Sequence, residues 1–241
     1  AAQTIVEIVH SNGRHLLVGA VDAIDEGIRH ENANVRDGYQ HIMVYAPSTL
    51  AQEVFQDFLT VAFPWVLTGL SDSDERVRTT ALTAGSNIIG LYGTRNLLMV
   101  LRPLLEGVIS EDSNQRHSSL LLLSKLVIYL VSQIKKKFRI AAAEEVCEGE
   151  GEEASEVTLE PEAGSELMQG GEVKLETARD AEKRGFSLLG QLEEELGSDN
   201  CTRVLAALYL GRSETDSNVR NEVTVAWQIA VANIRAGVVK A

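Results

Sequence analysis

The sequence predicts an all-α protein built from stacked antiparallel helical hairpins. Two local observations indicate this fold class. Apolar residues recur at helical spacing in long segments, and only a few polar residues separate one segment from the next. The alternating runs rich in β-branched residues that predict strands are absent from the sequence. A third observation, a residue pair that returns along the chain, indicates that the hairpins are repeats of one unit.

The helical spacing defines nine expected helices. Because the connections are short, consecutive helices should lie antiparallel. Pro64 lies inside the third of them and should kink it, since proline removes a backbone N–H and clashes with the preceding turn. The expected helices are 15 to 31, 34 to 46 (ending near Pro47), 51 to 70, 73 to 92, 95 to 110, 113 to 133, 178 to 196, 199 to 212 and 215 to 234.

An Asp or Asn stands four residues before an Arg at four places in the chain. The first three arginines are 42 and 38 residues apart, and a period near 40 in paired helices is typical of HEAT-type or armadillo-type solenoids. The last step is 104 residues, which predicts an insertion of roughly 60 residues into one repeat. The four pairs are Asn32 and Arg36, Asp74 and Arg78, Asp112 and Arg116, and Asp216 and Arg220.

These pairs have a structural explanation. The Asp or Asn side chain can accept hydrogen bonds from the free N–H groups that begin the second helix of each hairpin. The Arg, in the first turn of that helix, can bind a carboxylate, and in a stacked array the natural one is the turn Asp of the neighbouring repeat. We therefore expect a ladder of such contacts, with Val35, Val77 and Val219 pointing into the core; Gln115 departs from this pattern. The alternative is that these arginines bind a partner, for example phosphate, but repetition at the fold period favours stacking.

The predicted insertion is acidic. Residues 141 to 176 contain twelve Glu and one Lys, a local net charge of −11, whereas the whole chain carries −13. Such a composition cannot bury enough surface to order itself. We predict HEAT-type hairpins over 1–139, an acidic disordered loop between helices over 140–175, and further HEAT-type helices over 176–241. The loop could bind a basic ribosomal protein or histone, although charge blocks are usually solvated linkers.

Cysteine content and the lack of targeting signals indicate the cellular compartment in which the protein is expected. Two cysteines without CxxC spacing argue against a disulfide framework and fit a reducing, intracellular compartment. No signal peptide is visible, and no uninterrupted run of 18 apolar residues predicts a membrane span. Because the chain lacks an initiating methionine and ends within a helical pattern, we expect it to be part of a longer protein.

The sequence predicts no catalytic, cofactor-binding or metal site. It contains no GxGxxG, GxxxxGK[ST], HExxH or GxSxG motif, and its five histidines lack ligand spacing. Trp65 and Trp227 lie in apolar helical runs and are expected in the core. We therefore expect a binding protein without a small-molecule substrate. An enzyme would need a pocket with converging polar groups and a perturbed carboxylate or histidine.

One basic cluster is a candidate RNA or ribosome contact. Lys135, Lys136, Lys137 and Arg139 surround Phe138 at the end of the helix predicted from residue 113. Four cations beside one aromatic ring could contact RNA phosphates and stack a base. The alternative is a cationic last turn that complements the helix dipole. Because the run is short for a basic-cluster motif, the alternative is favoured.

Three stretches resemble, in order, one region of the Gcn-one translational activator family, whose members are very large HEAT-repeat scaffolds of general amino-acid control. The stretches begin at "VRDGYQHIMVYAP", at "VRTTALTAGSNIIGLYG" and at "RVLAALYLGRSETDSNVR". The pieces "VRDGY" and "LGRSETDSNVR" are the most specific. The resemblance covers roughly residues 30 to 134 and 200 to 234.

This resemblance implies a cytoplasmic scaffold that associates with translating or stalled ribosomes. Its second partner would be the protein kinase that phosphorylates the alpha subunit of initiation factor two, and it would have no catalytic activity of its own. The matched positions are core and ladder positions, so no binding residues are transferred. The alternative is a HEAT-array adaptor of another kind, a transport receptor or chromatin scaffold that binds peptides or basic partners. A continuous basic or aromatic stripe on one face of the solenoid would favour the ribosome-associated scaffold. A deep acidic groove would favour a transport receptor.

Overall fold

The computed structural model describes residues 2–12, 14–149 and 188–231, and every regular element within them is an α-helix. The predicted all-α fold class is confirmed. In chain order the helices are α1 (Ala2–Asn12), α2 (Arg14–Ile28), α3 (Ala33–Thr49), α4 (Gln52–Leu70), α5 (Glu75–Tyr92), α6 (Leu97–Val108), α7 (Ser113–Gly149), α8 (Leu188–Leu196), α9 (Ser198–Gly211) and α10 (Ser217–Val231).

The helices form a HEAT-like α-solenoid of stacked hairpins. Four hairpins pair α2 with α3, α4 with α5, α6 with α7, and α9 with α10. The second helices lie side by side in the row α3, α5, α7 and α10, and α1 packs on α3 at one end of it. Among the first helices, α2 contacts α4 and α6 contacts α9, while α8 packs against α7, α9 and α10. The turns that begin the second helices therefore lie along one edge of the stack.

A continuous hydrophobic core runs through the stack. Val77 and Val219, expected to point inward, are 1% and 2% exposed, whereas Val35 is half-buried. Trp65 is 4% exposed, as expected, and its indole N–H donates to Asp25 at 2.8 Å. These positions confirm the predicted inward faces of α4, α5 and α10.

By length and composition, the segment Ser113–Phe138 of α7 resembles a membrane span. In the protein 61% of its most apolar window is buried, because α5, α6 and α10 pack on it. Ser124, which interrupts the apolar run, is fully buried and donates to the carbonyl of Leu120 at 2.8 Å. The apolar character of α7 is therefore that of a core helix.

The predicted boundary after the third hairpin differs from the structure. Helix α7 continues to Gly149, so the first ten residues of the segment predicted as a loop, 140–149, are helical. Ala141, Ala142 and Ala143 followed by two Glu have high helix propensity, which outweighs the acidic composition locally. The rest of the predicted loop and residues 178–187 lie outside the described residues, so they remain a prediction.

Candidate binding surfaces and the arginine ladder

The four recurring Asp and Asn side chains cap the second helices. Each accepts the backbone N–H two residues later: Asn32 from Asn34 (2.9 Å), Asp74 from Arg76 (2.9 Å), Asp112 from Asn114 (3.0 Å) and Asp216 from Asn218 (2.8 Å). The backbone N–H of each Arg, four residues on, donates to the carbonyl of the same capping residue. The four-residue step is therefore the first i to i−4 hydrogen bond of an α-helix, closed by a capping side chain.

Each of the four arginines also bonds its own hairpin turn. The Nη1 group donates to the carbonyl six residues earlier, just after the first helix of the hairpin ends. These bonds join Arg36 to His30 (2.8 Å), Arg78 to Asp72 (2.7 Å), Arg116 to Ser110 (3.0 Å) and Arg220 to Glu214 (2.7 Å). Carbonyls at helix C-termini lack intrahelical donors and carry partial negative charge, so a guanidinium there satisfies them.

Two of the arginines also reach a carboxylate in the next hairpin. Arg36 binds Asp72 through two parallel bonds, Nε to Oδ2 at 2.7 Å and Nη2 to Oδ1 at 2.8 Å, and the two side chains are only 15% and 10% exposed. Arg116 Nε lies 3.1 Å from Oε1 of Glu214, whose other oxygen lies 3.1 Å from His117 Nε2. The inter-repeat partners are thus Asp72 and Glu214, not the capping residues.

The contacts keep both carboxylates ionised. Burial raises the pKa of Asp72, but the hydrogen bonds from Arg36 and from the Asp74 backbone outweigh it, so the pKa lies below the ordinary 3.8. Burial likewise opposes ionisation of Glu214, and the hydrogen bonds from Arg116 and His117 hold its pKa below 4.5. We call the contacts of Arg36 with Asp72 and of Arg116 with Glu214 the ladder ion pairs.

The predicted basic cluster lies on an exposed part of α7. Lys135, Lys136 and Lys137 are exposed, and Phe138 is 39% exposed; the side chain of Arg139 lies outside the described residues. Lys137 forms an ion pair with Glu195 of α8. Helix α7 extends ten residues beyond Arg139. The interpretation of the cluster as a last helical turn is therefore wrong.

A second surface cluster was not predicted. The rings of Tyr209 and Trp227 meet edge to face at 5.5 Å, and the guanidinium of Arg212 lies 5.5 Å and 5.8 Å from their respective centroids. Tyr209 is 58% exposed and Trp227 is half-buried, so Trp227 is not a fully buried core residue. The spacing of Tyr209 and Arg212 at the end of α9 was a signal for their contact, but the approach of Trp227 depends on how α10 packs.

Features of an active site are few in the described part of the chain. None of its His, Cys, Asp and Glu side chains form a group of three that could hold a metal ion. Cys201 is buried, and burial raises the pKa of its thiol, which disfavours the reactive thiolate. A groove of about 570 Å³ between α1 and α3 is lined by no carboxylate or cysteine, and His41 is its one imidazole.

Comparison with known proteins relates the chain to one group. No family model matches. The chain is 26% identical over 233 residues to "eIF-2-alpha kinase activator GCN1" of Saccharomyces cerevisiae, covering 97% of the chain and 7% of that protein. It is 29% identical over 201 residues to "Stalled ribosome sensor GCN1" of Mus musculus, covering 83% and 6%. It is 27% identical over 233 residues to "Protein ILITYHIA" of Arabidopsis thaliana, covering 97% and 7%.

The resemblance to the Gcn-one family is therefore confirmed along most of the chain. The chain spans about 7% of the length of the curated relatives it matches. The names of two of these relatives describe a kinase activator and a sensor of stalled ribosomes.

Proposed function

We propose that this chain, similar over most of its length to one segment of GCN1 proteins, is part of a cytoplasmic HEAT-repeat scaffold that helps activate the initiation-factor-two alpha kinase. The scaffold would act when amino acids are scarce or ribosomes stall. The observation that carries this proposal is the similarity over 83–97% of the chain to proteins named for kinase activation and stalled-ribosome sensing. The partners would be the ribosome, the kinase and other segments of a longer chain.

Within this proposal the chain acts by binding and not by catalysis. The thiol of Cys201 is buried and its pKa is raised, which disfavours its use as a nucleophile. The ladder arginines are bonded to turn carbonyls of their own hairpins. Their geometry supports a structural role over the binding of a phosphorylated partner.

We assign the ribosome contact to Lys135, Lys136, Lys137 and Arg139. Lys135 and Lys136 are exposed and form no ion pair with another described residue. Lys137 would exchange its partner Glu195 for a phosphate. Phe138, 39% exposed beside these cations, could stack on an unpaired base. Because such binding releases counterions, it should weaken steeply as salt is raised.

Co-sedimentation with purified ribosomes across a salt series tests this proposal. The chain should sediment with ribosomes at low salt, and Lys135→Ala with Lys136→Ala should weaken the binding by about tenfold, as expected for the loss of two phosphate contacts. A matched control replaces Lys125 and Arg203 by Ala, which removes two exposed charges elsewhere.

Two outcomes would contradict the assignment. If both double variants lose binding equally, the chain responds only to net charge and the cluster on α7 is not the contact. If the unaltered chain does not sediment at low salt, this segment does not bind the ribosome directly.

A further inference from the structure

One junction in the row of second helices lacks the ion pair that two others have. Arg36 and Asp72 join α3 to the turn before α5, and Arg116 and Glu214 join α7 to the turn before α10. At the junction between α5 and α7 the corresponding arginine is Arg78. It is half-buried and forms no ion pair with any residue in the described part of the chain. We call this the open junction.

At the open junction, Ser110 stands at the position that Asp72 and Glu214 occupy at the other two junctions. Asp72 and Glu214 each stand six residues before the next ladder arginine, and the residue six before Arg116 is Ser110. The local hydrogen bonds agree with this equivalence. The Asp74 backbone N–H donates to Oδ1 of Asp72 at 2.9 Å, and the backbone N–H of Asp112 donates to Oγ of Ser110 at 3.2 Å. The Ser110 oxygen therefore takes the place of a ladder carboxylate oxygen within its own turn.

Arg78 is held in the orientation of an arginine that has a partner. Its Nη1 donates to two carbonyls of its own turn, at 2.7 and 3.0 Å, as Nη1 of Arg36 does at 2.8 and 2.8 Å. Because the guanidinium is planar, fixing Nη1 orients the Nε and Nη2 edge, which is the edge that Arg36 presents to Asp72. By this equivalence the free edge of Arg78 is directed toward the turn of Ser110, whose neutral hydroxyl cannot form an ion pair.

We propose that Ser110 is a phosphorylation site and that phosphoserine there supplies the anion that Arg78 lacks. A protein kinase would transfer the γ-phosphoryl group of ATP to the Ser110 oxygen. The new Oγ–P bond replaces the bond from phosphorus to the β–γ bridging oxygen, ADP leaves, and the hydroxyl proton is released. The phosphate brings about −1.5 to −2 charges and three acceptor oxygens, which suit the two donors on the free edge of Arg78.

The surroundings of Ser110 fit such a modification. The residue is half-exposed in the short connection 109–112, where Ile109 is 79% exposed. Glu111 and Asp112 follow it and are exposed, which suits a kinase that recognises acidic residues after the serine. These two carboxylates also repel the phosphate, so its stabilisation would depend on Arg78. The hydrogen bond from Ser110 Oγ to Oε1 of Gln115, 2.7 Å long, would be lost.

The test uses the whole 241-residue chain in two steps. First, an acid-directed Ser/Thr kinase and ATP should phosphorylate the folded chain at Ser110, and mass spectrometry should find no phosphate at that position in Ser110→Ala. Second, chain carrying phosphoserine at position 110 should melt about 2–4 °C higher than unmodified chain, as expected for one partly buried ion pair. The shift should disappear in Arg78→Ala and in Arg78→Lys, which keeps the charge but loses the paired donors.

The control is Arg76→Ala, since Arg76 is an exposed arginine on the same helix whose partner is Asp74. This variant should keep the whole shift. Failure of the kinase to modify the folded chain would overturn the assignment of a modification site. A melting temperature that does not rise, or a rise that persists without Arg78, would overturn the contact. If Arg78→Ala does not fold, the effect of phosphoserine on the melting temperature is compared between Arg78→Lys and the unaltered chain.

Discussion

Arg36 and Arg116 each make two kinds of contact. Their Nη1 groups bond carbonyls of their own hairpin turns, and their Nε atoms bond a carboxylate of the next hairpin. One side chain therefore fixes both the turn within a repeat and the offset between repeats. Arg78 makes the first contact without the second, which allows the two contributions to be separated by mutation.

Arg36→Ala should lower the free energy of unfolding by about 1–3 kcal/mol, because it leaves the largely buried carboxylate of Asp72 without its partner. Arg78→Ala should cost less, since it leaves only backbone carbonyls of its own turn, and no carboxylate in the described part of the chain loses its partner. Urea unfolding followed by far-UV circular dichroism measures both. Equal costs for the two variants would show that the inter-repeat carboxylate adds nothing to stability.

The stability of the array should fall in acid. The pKa values of Asp72 and Glu214 are lowered in the folded chain, so the unfolded chain takes up protons more readily. Their contribution is complete above the ordinary values of 3.8 and 4.5 and is lost as pH falls through the lower folded-state values. The urea midpoint should therefore drop as the pH falls below about 5, and it should continue to drop below the ordinary pKa values of the two groups. Asp72→Asn should show a smaller drop than the unaltered chain, and an unchanged drop would contradict this.

Helix packing explains why two glycines in α5 should respond differently to substitution. Gly85 is buried where α5 meets α7, and a Cβ there would lie 2.7 Å from Cδ1 of Leu122. A Cβ at Gly90, in the same helix, would meet nothing within 4 Å. The first glycine allows the helices to approach closely, whereas the second only weakens helix propensity.

Gly85→Ala should lower the free energy of unfolding by about 1–3 kcal/mol through overpacking against Leu122. Gly90→Ala should raise it by about 0.5–1 kcal/mol, because alanine is the better helix former. Thermal unfolding should show a lower melting temperature for Gly85→Ala and a higher one for Gly90→Ala than for the unaltered chain. Stabilisation by Gly85→Ala would mean that the contact between α5 and α7 is looser than the structure shows.

The acidic segment should contribute little to folding. Deletion of residues 150–175 should leave the melting temperature nearly unchanged, because this Glu-rich and Gly-rich composition is poor in residues that bury apolar surface. Differential scanning calorimetry of the deleted and intact chains measures the effect. A fall of several degrees would mean that the segment packs on the hairpins.

Across the whole molecule, the sequence predicted features that depend on local geometry and missed those that depend on packing between helices. The repeat period and the capping of the second helices follow from residues a few positions apart. The ladder partners do not, since Asp72 competes with Asp74 within one turn and only the offset between hairpins decides between them. The acidic composition predicts that α7 ends before residue 140, but the helix propensity of its alanines extends it to Gly149.

Charge is distributed unevenly over the whole chain. Of the net −13, residues 141–176 carry −11, and this stretch directly follows the basic cluster. The same deletion of residues 150–175 should therefore tighten ribosome binding at low salt, because it removes charge that repels RNA phosphates. Co-sedimentation of the deleted and intact chains measures this, and unchanged binding at every salt concentration would contradict it.

The most direct test of ribosome binding is lysine footprinting of the intact chain with and without ribosomes. Bound ribosomes should slow acetylation of Lys135 and Lys136, while Lys125, exposed on the same helix, should react at an unchanged rate. If ribosomes leave the acetylation rate of each of the three lysines unchanged, the assigned contact is contradicted.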